Sequence, residues 1–246
     1  MRVSWSEFKS IASRDVELDG AMIYRGQRLA SWGLVSSVHR TALVRSIPDL
    51  KGYADFMLPQ VHDAIEAWVG RSWDLKTALG LAEFLAYLQH NSFPTPLLDW
   101  TESPYVAAYF ALEGVNHFKP QEEDVAVFAF NQNVWASTFK QVYDFADFTP
   151  HVSVLRPRMV GNHKLAFQQG CFTVTNVQDV ERHIRLNETD GKQFLTKYEL
   201  DVRERPRVIR ELALMGVSAV QLMPSVEAVC KKAVEDLIGL VPMEFK

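Results

Sequence analysis

Cysteine is nearly missing from this chain. Only Cys171 and Cys230 occur in 246 residues, so neither a disulfide framework nor a paired-cysteine metal motif can be assembled. Both thiols are expected to stay reduced, as in a cytoplasm. A hydrophobic leader is missing too. Met-Arg-Val-Ser-Trp-Ser-Glu-Phe-Lys-Ser opens the chain without an apolar core, so no signal peptide is expected. No apolar run approaches the length of a membrane span. These features read as a cytoplasmic protein with no membrane partner. Excess basic charge is also absent. The net charge of −4 excludes a global field that draws the chain to nucleic acid or acidic lipid, and leaves only a local basic groove.

Several catalytic signatures are lacking as well. There is no Gly-x-Ser-x-Gly elbow, no phosphate-cradling P-loop and no Gly-x-Gly-x-x-Gly fingerprint. Serine hydrolase, nucleoside triphosphatase and dehydrogenase chemistry therefore have no support. No second His or Cys stands at ligand spacing from His90, so no metal is expected. Disorder is excluded by a hydrophobic fraction of 48%, and the length allows a real core.

What the chain does have is a mixed pattern of strands and helices. Ser4 and Glu7 predict a capped helix over Trp5 to Ala12. Ala21-Met22-Ile23-Tyr24 reads as a buried strand ending at Arg25-Gly26. Val61, Ala64, Ile65 and Trp68 keep helical spacing, as do Leu81, Phe84, Leu85 and Leu88, with Asp74 a candidate cap. The two predict a helical hairpin inserted between strands. Leu97 to Trp100, Val125 to Phe130 and Cys171 to Thr175 read as strands. Ser103-Pro104 starts a helix over Tyr105 to Glu113 that buries Val106, Tyr109 and Phe110. After Thr196 the order is strand (Lys197 to Val202), helix (Arg205 to Met215, stopped by Gly216), strand (Val217 to Leu222) and helix (Ser225 to Ile238, stopped by Gly239). No break in composition appears, so residues 1–246 are expected to form one α+β domain.

Polar residues between these apolar elements are the candidate site. Arg25 offers a planar donor fork that suits a phosphate or a ribose, and Gly26 allows close approach of a ligand. The same pair also fits a structural ion pair and a turn. Asp99, Thr101, Glu102 and Ser103 lie where a strand turns into a helix N-terminus, a setting that favours anions or simple capping. Gln168 and Gln169 carry amides able to grip a ribose or to bond backbone. Trp32 and Trp100 sit in the candidate segments and offer ring faces. The other tryptophans read as core. His90 ends a helix as a dipole partner or an acid–base group.

Three runs together resemble the FRG domain family. They are Tyr24-Arg25-Gly26-Gln27, then Gln89-His90 through Pro94-Thr95 to Leu97-Leu98-Asp99-Trp100-Thr101, then Gln168-Gln169-Gly170-Cys171-Phe172-Thr173. The resemblance covers about residues 17–180, with 196–246 as a C-terminal strand-helix extension. A more distant resemblance links the same order to ADP-ribosyltransferases of the Arg-Ser-Glu type. It implies a split mixed sheet with NAD, as substrate, in a cleft between two small sheets. Tyr24, Arg25, Gly26, Gln27, Trp32 and Trp100 then fall at the NAD-binding positions, with Arg25 on the pyrophosphate or its ribose. Thr101 and Ser103 match the serine motif, and Ala107-Ala108-Tyr109-Phe110-Ala111 matches its helix. Gln168 or Gln169 stands at the usual acidic position, where a neutral amide cannot supply a carboxylate's charge. Asp99 or Glu102 is the substitute carboxylate, and His90 a further acid–base candidate. The implied function is transfer of ADP-ribose to a macromolecular acceptor, a protein or a single-stranded nucleic acid, by a toxin or phage-defence effector with an antitoxin or chaperone partner. The alternative is a non-catalytic nucleotide- or phage-sensing module.

Overall fold

The computed structural model describes the chain apart from residues 16, 18–21, 45–48, 114, 116–122, 158–162, 190 and 238–246. Its strands are β1 (Arg2–Val3), β2 (Met22–Gln27), β3 (Leu97–Thr101), β4 (Val125–Asn131), β5 (Val152–Leu155), β6 (Gly170–Thr175) and β7 (Leu195–Leu200). They hydrogen-bond in the order β1-β7-β4-β2-β3-β6-β5, antiparallel except for the β1–β7 pair. The fold is therefore α+β with one mixed sheet, where the resemblance implied two small sheets.

The helices are α1 (Trp5–Asp15), α2 (Ser37–Val44), α3 (Leu50–Gly52), α4 (Leu58–Val69), α5 (Ala78–His90), α6 (Pro104–Glu113), α7 (Gln132–Thr138), α8 (His163–Phe167), α9 (Val180–Leu186), α10 (Arg205–Leu214), α11 (Ala219–Leu222) and α12 (Val226–Leu237). A π-helical turn, Tyr53–Met57, joins α3 to α4. Among the described residues, four α-helices rather than a hairpin alone stand between β2 and β3. The expected α5 cap moves from Asp74 to Thr77, whose hydroxyl accepts from the Gly80 N–H. Trp68 of α4 faces solvent rather than the core. Residues Ala219–Leu222 form a short helix where a strand was expected. Ala21, Ile238 and Gly239 lie outside the described residues. Among the described residues no helix is long and apolar enough to cross a membrane.

Alternation along the strands sorts the core. Tyr24, Val127, Ala129, Tyr198 and Leu200 bury one face under α1, α6 and α10. Beyond β2 the same face carries a second cluster, in which Leu97, Phe172 and Val174 meet α5 and α4. The opposite face is continuous: Ile23, Phe128, Leu98, Trp100 and Cys171 pack with α7 and α9. Two cores thus part company between β2 and β3. The N-terminal prediction holds locally, since Ser4 and Glu7 form a reciprocal capping box at α1. Gly216 adopts φ 79° just past α10, as a C′ glycine does. β7, in the segment read as an extension, is paired on both sides within the sheet.

Candidate functional site

The line between the two cores is also the weakest line of the sheet. β2 shares six residue pairs with β4, and β3 shares five with β6. Among the described residues, only Tyr24 and Thr101 are paired between β2 and β3. Backbone groups beyond that pair need other partners.

Arg25, the next residue of β2, supplies one. Its Nη1 donates to the Asp99 carbonyl oxygen at 2.6 Å and lies 3.5 Å from Asp99 Oδ2. A guanidinium thus takes the place of a ladder N–H. The Arg25 side chain is 15% exposed, and its Nε is buried without a hydrogen-bond partner. An unmet donor of this kind is costly and marks a place where an acceptor is welcome. The Asp99 side chain is 54% exposed.

The proline-broken run before β3 holds that carboxylate. Gln89 Nε2 donates to Asp99 Oδ2 at 2.9 Å. Gln89 Oε1 in turn accepts from Thr95 Oγ1 at 2.5 Å and from Ser37 Oγ at 3.3 Å. Ser37 Oγ also accepts from the Thr95 N–H at 2.9 Å. The end of α5 and the start of α2 are thereby fixed to β3 through three polar side chains. Arg40 of α2 stands close enough to feel both charges. Burial of its base and the Arg25 guanidinium push its pKa down, and Asp99 offsets them in part.

The other end of β3 carries the Gln168–Gln169 turn. Thr101 is buried, and its Oγ1 donates to the Gln168 carbonyl at 2.6 Å while accepting from the Ser103 N–H at 3.1 Å. The Glu102 N–H donates to the Gln169 carbonyl at 3.0 Å. Ser103 Oγ accepts from the Val106 N–H at 3.3 Å, which caps α6. The Glu102 carboxylate bonds the Arg156 guanidinium, which also donates to Gln132 Oε1 at 3.0 Å. Gln168 spends its amide on the Leu222 carbonyl at 3.2 Å. Gln169 is exposed and sits at φ 48°. A left-handed non-glycine costs on the order of 1 kcal/mol and concentrates at functional turns.

Three runs far apart in sequence therefore meet along β3. Arg25 touches Asp99, while Thr101 and Glu102 touch Gln168 and Gln169. His90 is exposed at the end of α5. Burial first, then Lys164 of α8, lowers its pKa, so its imidazole is neutral near pH 7. Trp32 remains 43% exposed, with the Arg28 guanidinium 5.1 Å from its ring centroid.

Other candidates are committed elsewhere. Trp100 is buried against Phe130, and its indole N–H donates to Thr173 Oγ1 at 3.0 Å. It has no free ring face for a ligand. Tyr24 lies in the core with its hydroxyl donating to Asp15 at 2.7 Å. Gly26 makes room for a helix rather than a ligand: a Cβ there would lie 2.1 Å from the Ala107 carbonyl oxygen. Gln27 is buried and donates to the Gly33 carbonyl at 3.1 Å. Sequence reasoning missed Ser37, Arg40, Gln132 and Arg156. Gln89 and Thr95 stood in the quoted run, but nothing there announced that they hold Asp99. Among the described residues, no three His, Cys, Asp or Glu side chains gather as metal ligands.

The segment from residue 20 to residue 120 matches the model of the FRG domain family. That segment is similar to the FRG domain. The match contains the Tyr24–Gln27 run, the Gln89–Thr95 clamp and β3, and it stops before Gln168. The matched segment thus holds the Arg25–Asp99 half of the site, and the glutamine turn comes from beyond the matched residues. No curated protein and no solved structure matches the chain.

Proposed function

We propose that this chain is an ADP-ribosyltransferase-like enzyme that cleaves NAD and passes ADP-ribose to a macromolecular acceptor, as a toxin or phage-defence effector. One observation carries the reading. The arginine, the polar strand end and the glutamine turn, which the distant resemblance puts around NAD, meet along β3. The Arg25 Nε has no hydrogen-bond partner, which supports reading this arginine as a donor for an anionic group.

The roles follow from what each group has to spare. Arg25 neutralises the pyrophosphate while one nitrogen keeps its bond to Asp99. Asp99 is the carboxylate facing the ribose as the C1′–nicotinamide bond breaks. Glu102 is less available, because Arg156 already holds it. Nicotinamide leaves with the bonding electron pair, and positive charge builds on the ribose beside Asp99. The acceptor attacks C1′ and loses a proton, for which His90 is the candidate base. Thr101 and Ser103 hold the turn and the helix, and Gln169 offers its exposed amide to the ribose. Trp32 provides a ring face. A toxin of this kind requires a neutralising antitoxin or chaperone in its host.

A second reading is a nucleotide-sensing module without turnover. It is favoured by the neutral amides at the acidic position, one of them already bonded to Leu222. Labelled NAD separates the two. The enzyme releases nicotinamide and transfers label, and both are lost in Arg25→Ala and Asp99→Asn. Tight nucleotide binding with no release by the wild-type chain overturns the enzyme reading. Growth arrest on expression, relieved by Arg25→Ala, supports the toxin.

A further inference from the structure

The clamp that reaches Asp99 has a direction. α5 ends at His90, and Ser92 at φ 63° turns the chain so that Thr95, fully buried, returns beside Gln89. Thr95 Oγ1 accepts from the Leu97 N–H at 3.2 Å, and Ser37 Oγ accepts from the Thr95 N–H at 2.9 Å. What each hydroxyl has left to give is its one hydrogen. Thr95 gives it to Gln89 Oε1 at 2.5 Å, and Ser37 Oγ stands 3.3 Å from the same oxygen. With Oε1 accepting, Gln89 Nε2 is turned to Asp99 Oδ2 at 2.9 Å. The reverse amide would set one acceptor oxygen against another there and leave the Thr95 hydrogen without its acceptor. Two hydroxyls, themselves held by backbone N–H groups, thus decide which way Gln89 faces.

We infer that Gln89 is a positioning residue, which holds one oxygen of Asp99 and presents the other to a ligand between β2 and β3. A brace from α5 to β3 would be complete with Ser37, Gln89 and Thr95. The fourth member, Asp99, is 54% exposed, and a carboxylate in water needs no protein donor. Yet the Gln89 amide and the Arg25 guanidinium both approach Oδ2, and among the described residues no donor reaches Oδ1. One oxygen is fixed and one is left open, as suits a carboxylate that meets charge on a bound molecule. The charged and titratable groups around it are Arg25 of β2, Arg40 of α2 and the Cys171 thiol of β6, and Gln89 is the neutral contact from α5. That Asp99 acts on NAD rests on the function proposed above, whereas the hold of Gln89 on Asp99 does not.

Two substitutions test the two halves apart. Gln89→Glu keeps the size and the acceptor for Thr95 and Ser37, but faces Asp99 with a second carboxylate. The pair must share a proton, so Asp99 in this variant is expected to ionise at least about one pH unit higher than in the wild type. Carbon-13 carboxyl NMR of the full chain with labelled aspartate reads this directly, the Asp99 signal being assigned by its loss in Asp99→Asn. The acidic limb of nicotinamide release moves up with it, which a merely structural brace would not cause. Gln89→Leu removes the donor. At saturating NAD its nicotinamide release is expected to fall about 10- to 100-fold with KM little changed, and Asp99→Asn is made no worse by adding it. An Asp99 signal that titrates alike in the wild type and Gln89→Glu overturns the inference, with or without activity. So does full release by Gln89→Leu from an active wild type. A shifted Asp99 signal in a chain whose wild type releases no nicotinamide upholds the role of Gln89 and overturns the cleavage reading alone.

Discussion

The two edges of β2 are built on opposite plans. Toward β4 the strand is sealed by six residue pairs, and α6 lies so close that only glycine fits at position 26. Toward β3 there is one pair, and then a guanidinium bonded to a carbonyl. The first edge spends its backbone groups on the ladder and its surface on the core. The second leaves polar groups for other work, and the sequence motifs gather there. A rigid edge positions the residues that an open edge presents.

The largest effect is expected on the sealed edge. Gly26→Ala puts a methyl 2.1 Å from the Ala107 oxygen and 2.6 Å from the Ala111 nitrogen. Backbone of α6 has to move, at a cost of about 3 kcal/mol or more. Urea unfolding measures it, and a loss under about 1 kcal/mol shows that the helix yields easily.

On the open edge, Arg25→Ala is expected to cost only about 1–3 kcal/mol of stability while cutting nicotinamide release at least about 100-fold. Arg25→Lys keeps the charge but not the fork, so activity recovers little. Full recovery with lysine identifies charge alone as the requirement. Thr101→Val keeps the shape and removes the hydroxyl that serves the Gln168 carbonyl and the Ser103 N–H. A loss of about 1–2 kcal/mol is expected in the same assay.

The smallest effect is a pH slope. Burial lowers His39, His90 and His183, and Lys164 adds to the shift at His90. The folded chain binds these protons less readily than the unfolded chain does. Stability from this source is complete above the ordinary histidine pKa of about 6.5 and falls as pH drops through the lowered values. The urea midpoint should decline between about pH 7 and pH 5, above the range where carboxylates such as Glu7 and Asp147 begin to contribute. A flat midpoint across that window contradicts the burial account.

Much of the central sheet could be read in the sequence because its signals are local. Ser4 and Glu7 announce α1, Ser103-Pro104 announces α6, and the apolar runs announce β3, β4 and β6. β5 escaped because four residues in a polar neighbourhood carry little periodicity, and the edge is made by its partner β6. Val217 to Leu222 looked extended, but a turn at Gly216 and docking against α8 and α12 favour a helix there. At the site, Arg25 and Asp99 stood in readable motifs. The Gln89–Thr95–Ser37 clamp, Arg40 and Arg156 did not, since each acts through a partner remote in sequence. Trp100 and Gly26 were read as ligand groups because composition does not tell which face of a strand is covered.

The central claim is that residues 24–27, 97–103 and 168–170 border one nucleotide site at the open edge of β2. Amide hydrogen exchange of the full chain, with and without NAD, tests it directly. The account predicts that NAD slows exchange in all three segments together, and that Arg25→Ala abolishes the protection. Protection confined to other segments, or none at saturating NAD, contradicts it.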